Sequence, residues 1–215
     1  MYDMLCPGCG HRTAMMLLDD IILKGGIKEK IILALDVACC SLLIDFVDYD
    51  SIMCAHGRVL DVTKGFKTVR PENIVISYMG DGAAYSIGIE EMVHAAKRND
   101  DALIIVINNG LYAMTGGQIS PTNVVSGDGF FIEDVIINMP INYFARAALT
   151  NKTNIDLAKQ YIEKAFDKYI DKGGFNMVEL LSPCPTNYKL SAKDMCDKID
   201  NEFTKKYKIG EFKNV

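Results

Sequence analysis

The sequence lacks an excess of basic residues, and it lacks any long apolar run. Its 23 Lys and Arg residues are outnumbered by 28 Asp and Glu residues, which gives a formal net charge of -5. Because the basic residues are scattered rather than gathered in a stripe, no nucleic-acid partner is expected. The first residues lack the basic and apolar regions of a secretion signal, and no segment is long enough to span a bilayer. We therefore expect a soluble, cytoplasmic protein with no membrane partner.

Internal repeats and low-complexity segments are also absent from the sequence. Its 215 residues, of which 49% are hydrophobic, are enough for one sizeable core but not comfortably for two. We therefore expect a single domain spanning residues 1–215, with a polar helical tail that begins near residue 192.

Cysteine, by contrast, is abundant, with seven residues in the chain. Cytosolic thiols are kept reduced, so metal or redox chemistry explains them better than a disulfide framework. Cys6 and Cys9 form a CxxC pair, which is typical of a metal site. Two thiolates do not complete a tetrahedral site, and the sequence has no second CxxC. Further ligands must therefore come from distant parts of the chain.

Almost continuously apolar, β-branched runs predict strands that are buried on both faces, as in a parallel sheet covered by helices. Segments with helical periodicity alternate with these runs. The sequence therefore predicts an α/β fold with a mostly parallel sheet and helices on both faces. The predicted strands span residues 31–35, 74–79, 103–107, 145–149 and 177–181, and the predicted helices span residues 13–23, 87–98 and 155–170. Residues 110–128 are predicted to form a functional loop.

Polar residues follow two of the predicted strands directly. The sequence Gly-Asp-Gly at 80–82 ends one strand, and Asn-Asn at 108–109 ends the next. Either is a common turn sequence on its own, but together they lie at strand ends, where open α/β sheets bind ligands. Mg²⁺ prefers carboxylate, amide and carbonyl oxygens, with diphosphate oxygens completing its shell. Asp81, Asn109 and the carbonyl of Leu111 are therefore candidate Mg²⁺ ligands.

This pairing resembles the thiamine diphosphate motif, and the run TGGQISPT at 115–122 resembles a signature of 2-oxoacid:ferredoxin oxidoreductases. Three further segments resemble motifs of their β subunits: CPGCGH at 6–11, HGR at 56–58 and SPCPT at 182–186. The resemblance covers about residues 5–187. The length of the chain and its SPCPTNY segment are most similar to the branched-chain 2-oxoacid (2-oxoisovalerate) type.

The resemblance implies a thiamine diphosphate-binding fold and a part in the oxidative decarboxylation of a 2-oxo acid to acyl-CoA and CO₂. Electrons would pass through a [4Fe-4S] cluster to ferredoxin, and Mg²⁺ would accompany the thiamine diphosphate. The implied partners are an α subunit, γ and ferredoxin-like δ subunits, ferredoxin, the 2-oxo acid and coenzyme A. Because the activating carboxylate is implied to come from the α subunit, the catalytic base of this chain stays unknown.

The resemblance also implies the residues that bind each cofactor. The implied cluster ligands are Cys6, Cys9, Cys40 and Cys184. A shift of one residue would exchange Cys40 for Cys39. The implied thiamine diphosphate-binding residues are Cys40, Ser41, His56, Gly57, Arg58, Gly80, Asp81, Gly82, Ala83, Asn109, Leu111, Tyr112, Thr115 and Gly116.

Four other residues have less specific interpretations. Cys54 is interpreted as a packed thiol and Cys196 as a surface thiol, because free cysteine often behaves as a small hydrophobe. His94 lies mid-helix with no assigned role. For His11, a position at a helix start near the cluster and a plain surface position are both open.

Two alternative functions also stay open. The chain could be a subunit of a non-oxidative thiamine diphosphate-dependent decarboxylase, in which the cysteines are incidental. It could instead be a non-catalytic metal or iron-sulfur carrier with an α/β fold.

Overall fold

The computed structural model describes residues 4–125 and 127–215. Residues 1–3 and 126, which belong to the expected domain and to the predicted loop, lie outside this part. The strands are β1 (Ile31–Asp36), β2 (Ser51–Cys54), β3 (Ile74–Gly80), β4 (Ala102–Asn108), β5 (Leu111–Tyr112), β6 (Gln118–Ile119), β7 (Tyr143–Ala148), β8 (Phe175–Leu181) and β9 (Gly210–Asn214).

Helices of very different length connect these strands. The α-helices are α1 (Gly10–Gly25), α2 (Val59–Val69), α3 (Ile89–Arg98), α4 (Glu133–Ile136), α5 (Lys152–Lys172), α6 (Pro185–Tyr188), α7 (Ala192–Lys198) and α8 (Thr204–Lys206). Two 3-10 helices span Lys28–Lys30 and Cys39–Asp45, and two π-helical turns span Ala83–Ile87 and Ile199–Phe203. Within the described residues, none of the helices combines the length and apolarity that a membrane span requires.

Seven strands form one sheet in the order β2-β1-β3-β4-β8-β7-β9. Neighbouring strands from β2 to β7 pair in parallel, and β9 pairs antiparallel with β7 at the edge. Every residue of β1, β4, β7 and β8 is buried. This burial explains why β1 and β4 are apolar up to their last residue rather than alternating, whereas β7 and β8 also bury Arg146, Asn176 and Glu179.

Helices cover both faces of the sheet, which confirms the predicted α/β architecture. On one face, α1 and α5 pack through residues such as Leu18 and Ile162 against Leu33 and Ile105. On the other face, α2, α3 and α4 pack against the alternate strand residues, such as Ile104. Each fully buried Leu or Ile stabilises the fold by about 2 kcal/mol relative to an exposed one.

The structure contains elements that the sequence pattern did not predict. The short strand β2 has only the four residues SIMC and is partly buried, and the edge strand β9 has the polar sequence GEFKN, so neither has a long apolar run. The predicted helical tail is therefore wrong at its end, because the chain returns to the sheet as β9. The predicted loop also contains a small hairpin of β5 and β6.

Candidate cofactor and cluster site

A pocket opens at the carboxyl ends of β1, β3 and β4. It encloses about 640 Å³ including its mouth, a size that suits a small molecule or cofactor. The structure brings most of the predicted cofactor-binding residues together here. Those in its lining are Cys40, His56, Gly80, Asp81, Gly82, Ala83, Asn109, Leu111, Tyr112 and Thr115. Ser41, Gly57, Arg58 and Gly116 are not among the described residues of the lining.

Asp81 is a buried carboxylate at the end of β3, only 1% exposed. Its Oδ2 accepts hydrogen bonds from the hydroxyls of Ser120 and Thr122, both at 2.5 Å, and its Oδ1 accepts one from the Asn109 N–H at 3.3 Å. Burial raises the pKa of Asp81 to about 6, and these neutral donors only partly oppose that rise. A cation at this carboxylate would offset its desolvation, so the site fits a divalent metal ion.

Asn109 and Leu111 form a tight turn beside this carboxylate. The side-chain oxygen of Asn109 accepts the Leu111 N–H at 2.9 Å, and the Asn109 carbonyl accepts the hydroxyl of Tyr188 at 3.2 Å. Asn109 and Leu111 both line the pocket with Asp81. The three predicted Mg²⁺ ligands are therefore neighbours.

Gly82 permits a close contact on the opposite wall of the pocket. A Cβ at this position would overlap the ring of Tyr112, so any other residue would displace the ring. The Gly-Asp-Gly turn thus allows β5 to pack directly against the start of the next helix.

His56 is held at the pocket by Asp36, a residue that the sequence did not single out. Asp36 is fully buried at the end of β1. Its two oxygens contact Nδ1 of His56 at 2.7 Å and the N–H of Gly57 at 2.8 Å. A carboxylate at the end of a buried strand is the one signal in the sequence that could have indicated Asp36.

Arg58 points away from the pocket. Its guanidinium donates to Glu90 at 3.0 Å and forms an ion pair with Glu91, both on α3. A contact between Arg58 and a diphosphate stays a prediction, and it would require the guanidinium to leave these carboxylates. The hydroxyl of Ser41 is also engaged, because it donates to the carbonyl of Ala38 at 2.7 Å.

The cysteines divide into an electrostatically coupled group and separate thiols. Burial raises the pKa of Cys9 to about 12 and that of Cys39 to about 11, and Cys6 and Cys184 add to both shifts. Burial also raises the pKa of Cys40, but its main charged neighbour is Asp36. Cys39 is partly exposed and Cys40 is buried, and both line the pocket, so the choice between them as the fourth cluster ligand stays a prediction.

The remaining cysteines lie apart from this group. Cys54 is buried, which confirms the packed thiol. Cys196 on α7 is partly exposed, which agrees with its interpretation as a surface thiol.

His11 lies between the pocket and the cysteine group. Its ring is 3% exposed and lines the pocket, and its Nδ1 is 3.1 Å from the hydroxyl of Tyr78. Burial lowers the pKa of His11 to about 4, so the ring is neutral near pH 7. The interpretation of His11 as a surface residue is therefore wrong.

Four further residues form hydrogen bonds that support the site, and they were not identified individually from the sequence. Ser120 and Thr122 lie within the TGGQISPT signature, but only the structure shows that both hydroxyls hold Asp81. Asn187 donates to the carbonyl of Ala113 at 3.0 Å and to the sulfur of Cys184 at 3.5 Å. Tyr188 contacts Asn109 as described above. Asn187 and Tyr188 join the late SPCPT segment to the pocket.

Comparisons with known proteins agree with this geometry. The family profile described as the C-terminal TPP-binding domain of thiamine pyrophosphate enzymes matches residues 37–180. The 2-oxoglutarate synthase subunit KorB of Methanocaldococcus jannaschii is 31% identical over 189 residues, which cover 85% of this chain and 70% of that protein. The chain belongs to the 2-oxoacid:ferredoxin oxidoreductase β-subunit family. The matched profile is a TPP-binding domain, and TPP (thiamine pyrophosphate) is another name for thiamine diphosphate. Thiamine diphosphate is therefore the cofactor that this domain binds.

Two other similarities describe the extent of the match. The ketoisovalerate oxidoreductase subunit VorA of Methanothermobacter thermautotrophicus is 29% identical over 225 residues. The match covers 97% of this chain but only 47% of VorA, so this chain spans about half the length of that relative. The solved 2-oxoglutarate:ferredoxin oxidoreductase from Magnetococcus marinus shares its fold, with a TM-score of 0.78 at 21% identity and coverage of 100% of this chain and 82% of that one.

Proposed function

We propose that this chain is the thiamine diphosphate-binding subunit of an enzyme that oxidatively decarboxylates a 2-oxo acid. The reaction converts one 2-oxo acid, one coenzyme A and two oxidised ferredoxins into acyl-CoA, CO₂, two reduced ferredoxins and one proton. The chain would hold thiamine diphosphate with Mg²⁺ in the pocket and a [4Fe-4S] cluster beside it.

One juxtaposition carries the proposal. Cys39, Cys40 and His11 line the cofactor pocket. Just before His11, the Gly10 N–H donates to the carbonyl of Pro183 at 3.2 Å and the Cys9 N–H to the carbonyl of Cys6 at 3.0 Å, so the segments that carry Cys6, Cys9 and Cys184 meet beside the pocket. A cluster held by these thiols would lie beside the bound cofactor. A non-oxidative decarboxylase has no use for an electron acceptor at this position, so the arrangement favours the oxidative reaction.

Residues of this chain have distinct tasks in the proposed reaction. When bound, thiamine diphosphate supplies the chemistry that breaks the bond between the keto carbon and the carboxylate of the 2-oxo acid. Asp81 and Asn109 provide oxygens for Mg²⁺ and thereby anchor the diphosphate. His56, fixed by Asp36, provides a nitrogen at the pocket, and neutral His11 shields the side of the pocket that faces the thiols.

The cluster site needs some rearrangement before it can hold iron. Among the residues that the structure describes, no three His, Cys, Asp or Glu side chains are already arranged to hold a metal ion. We propose Cys6, Cys9 and Cys184 as ligands, with the fourth thiol from the Cys39–Cys40 pair. Cys6 is exposed and Cys9 partly exposed, so the CxxC segment has room to move.

The pocket favours a 2-oxo acid with an apolar side chain. No Lys or Arg is present among the described residues of its lining, whereas Val37 and Met114 expose 45% and 48% of their surface at its mouth. A second carboxylate on the substrate would therefore lack a cationic partner among these lining residues. This supports the branched-chain type. The α subunit would complete the pocket and supply the activating carboxylate.

Anaerobic purification, followed by assays for iron, sulfide, zinc and thiamine diphosphate, tests the proposal. Iron and sulfide in equal amounts, together with bound thiamine diphosphate, are expected. Thiamine diphosphate in a colourless protein would instead indicate the non-oxidative decarboxylase. Zinc or a cluster without thiamine diphosphate would indicate the carrier.

A further inference from the structure

A buried charged network lies behind the cofactor pocket. Glu179 on β8 and Arg146 on β7 are both fully buried and are neighbours across the sheet. Glu179 accepts from Nε of Arg146 at 2.7 Å, and the guanidinium also donates to Glu133 on α4 at 2.8 Å and 2.5 Å. Because burying an ion pair costs desolvation, such a network is weak evidence for stability alone.

The network reaches the pocket through Asn108. The second oxygen of Glu179 accepts from the side-chain nitrogen of Asn108 at 2.6 Å, and the side-chain oxygen of Asn108 accepts the Gly110 N–H at 3.2 Å. Gly110 has a φ of +74°, so it is the bend between Asn109 and Leu111. The Glu179–Asn108 pair therefore holds the turn that presents two of the proposed Mg²⁺ ligands.

Only one orientation of the Asn108 side-chain amide satisfies both of its hydrogen bonds. An ionised carboxylate only accepts hydrogen bonds, so Glu179 requires the NH₂ group of Asn108 to face it. The carbonyl oxygen of Asn108 must then face the Gly110 N–H. If residue 179 offered a donor instead, the Asn108 amide would have to turn over, and Gly110 would lose its acceptor.

The carboxy-terminal region supports the third proposed Mg²⁺ ligand, Asp81. The ring of Tyr207 lies 4.8 Å from the guanidinium carbon of Arg146, and its hydroxyl lies 2.9 Å from the carbonyl of Thr122. Thr122 is one of the two hydroxyl residues that hold Asp81. The network therefore touches the loops of all three proposed Mg²⁺ ligands.

We propose that Glu179 is a positioning residue for the diphosphate site. Its charge fixes the orientation of the Asn108 amide, and this amide fixes the turn that carries Asn109 and Leu111. The inference rests on the proposed role of Asp81, Asn109 and Leu111 in holding Mg²⁺ and the diphosphate.

Glu179→Gln in the full chain, assembled with its α subunit, tests the inference, with Asp100→Asn as the matched control. Asp100 is also a nearly buried carboxylate with two cationic partners, Lys64 and Arg98, but it precedes β4 at the opposite end of the sheet. Calorimetric titration with thiamine diphosphate and Mg²⁺ gives the dissociation constant, and thermal unfolding gives the Tm. We expect Glu179→Gln to raise the dissociation constant about tenfold, and Asp100→Asn to leave it within about twofold at a comparable loss of Tm.

The double variant Glu179→Gln/Asn108→Asp separates positioning from stability. A carboxylate at position 108 would accept from both the amide introduced at position 179 and the Gly110 N–H, so the turn regains its acceptor while the net charge is unchanged. We expect this variant to regain wild-type affinity within about twofold. Affinities of Glu179→Gln and Asp100→Asn that match each other would overturn the inference.

Two further outcomes are informative. If Glu179→Gln does not fold, Asn108→Ala makes the same test, because it cuts the link to Gly110 and leaves the Arg146–Glu179 pair intact. Unchanged affinity in Asn108→Ala would overturn the inference. Absence of Mg²⁺-dependent binding by the wild-type chain in complex with its α subunit would instead contradict the proposed function.

Discussion

Asp36 and His56 form a hydrogen-bonded pair, 2.7 Å apart, in which the carboxylate is fully buried and the imidazole is 33% exposed. Because the carboxylate can only accept, Nδ1 of His56 carries the proton and Nε2 is the nitrogen left for a ligand. The HGR motif therefore depends on a residue 20 positions earlier, at the end of β1.

Asp36→Asn should disturb the contact with His56 or with Gly57. The Nδ1–H of His56 and the N–H of Gly57 each need an acceptor, and one of them would then face the NH₂ group of the new amide. We expect the free energy of unfolding to fall by about 1–2 kcal/mol and thiamine diphosphate to bind more weakly. Thermal unfolding and titration with the cofactor measure the two effects. Asp20→Asn is the control, because Asp20 is a partly exposed carboxylate that pairs with Lys24 and Lys159 on the outer surface. Equal cofactor affinity in the two variants would contradict this role of Asp36.

Asp81→Ala should abolish Mg²⁺-dependent retention of thiamine diphosphate while the fold is kept. Asp81 is the one carboxylate among the three proposed Mg²⁺ ligands, and its substitution removes the charge that attracts the cation. Cofactor content after desalting, together with circular dichroism, measures the two properties. Asp20→Ala should retain the cofactor. Wild-type cofactor content in Asp81→Ala would remove the metal-site assignment.

Separate substitution of Cys39 and Cys40 identifies the fourth cluster ligand. Cys39 is partly exposed at the pocket whereas Cys40 is buried, so we predict that Cys39→Ser loses or alters the cluster and that Cys40→Ser keeps it. Iron and sulfide content and the visible absorbance of anaerobic protein measure the outcome.

Cys196→Ser is the control for this pair, because Cys196 lies on α7 and has Asp200 and Asp197 as its charged neighbours. Loss of the cluster in Cys40→Ser alone would show that the Cys40-Ser41 resemblance identifies the ligand. In that case the Cys39–Asp45 helix must rotate when the cluster binds.

The chain expressed alone should bind thiamine diphosphate weakly and should not oxidise 2-oxo acids. The resemblance assigns the activating carboxylate to the α subunit, so the reaction requires that subunit beside the pocket. Ferredoxin reduction measured with and without the α subunit tests this dependence. Full turnover by the purified chain alone would show that the activating group lies within it.

The sequence predicted the sheet well because its inner strands are buried on both faces. The apolar runs at 31–35, 74–79 and 103–107 lie within β1, β3 and β4, and the polar residues that follow them meet at one edge. The short strand β2 was missed because its four residues are too few to give a pattern, and the edge strand β9 was missed because partly exposed strands do not need apolar residues.

Side-chain directions were harder to predict than positions. Local motifs placed His56, Gly57 and Arg58 together, but the helical start at Val59 turns Arg58 toward α3. The adjacent thiols of Cys39 and Cys40 likewise face different neighbours. Asp36 and Glu179 act through contacts with distant segments, and no local pattern marks such contacts.

Electron paramagnetic resonance of the anaerobic complex tests the central claim most directly. The chain, assembled with its partner subunits and loaded with thiamine diphosphate and Mg²⁺, is mixed with a 2-oxo acid and frozen. The account predicts the signal of a reduced [4Fe-4S] cluster in the wild type and no signal in Asp81→Ala with the same iron content. A wild-type complex that contains cluster and cofactor and releases CO₂ without any such signal would contradict it.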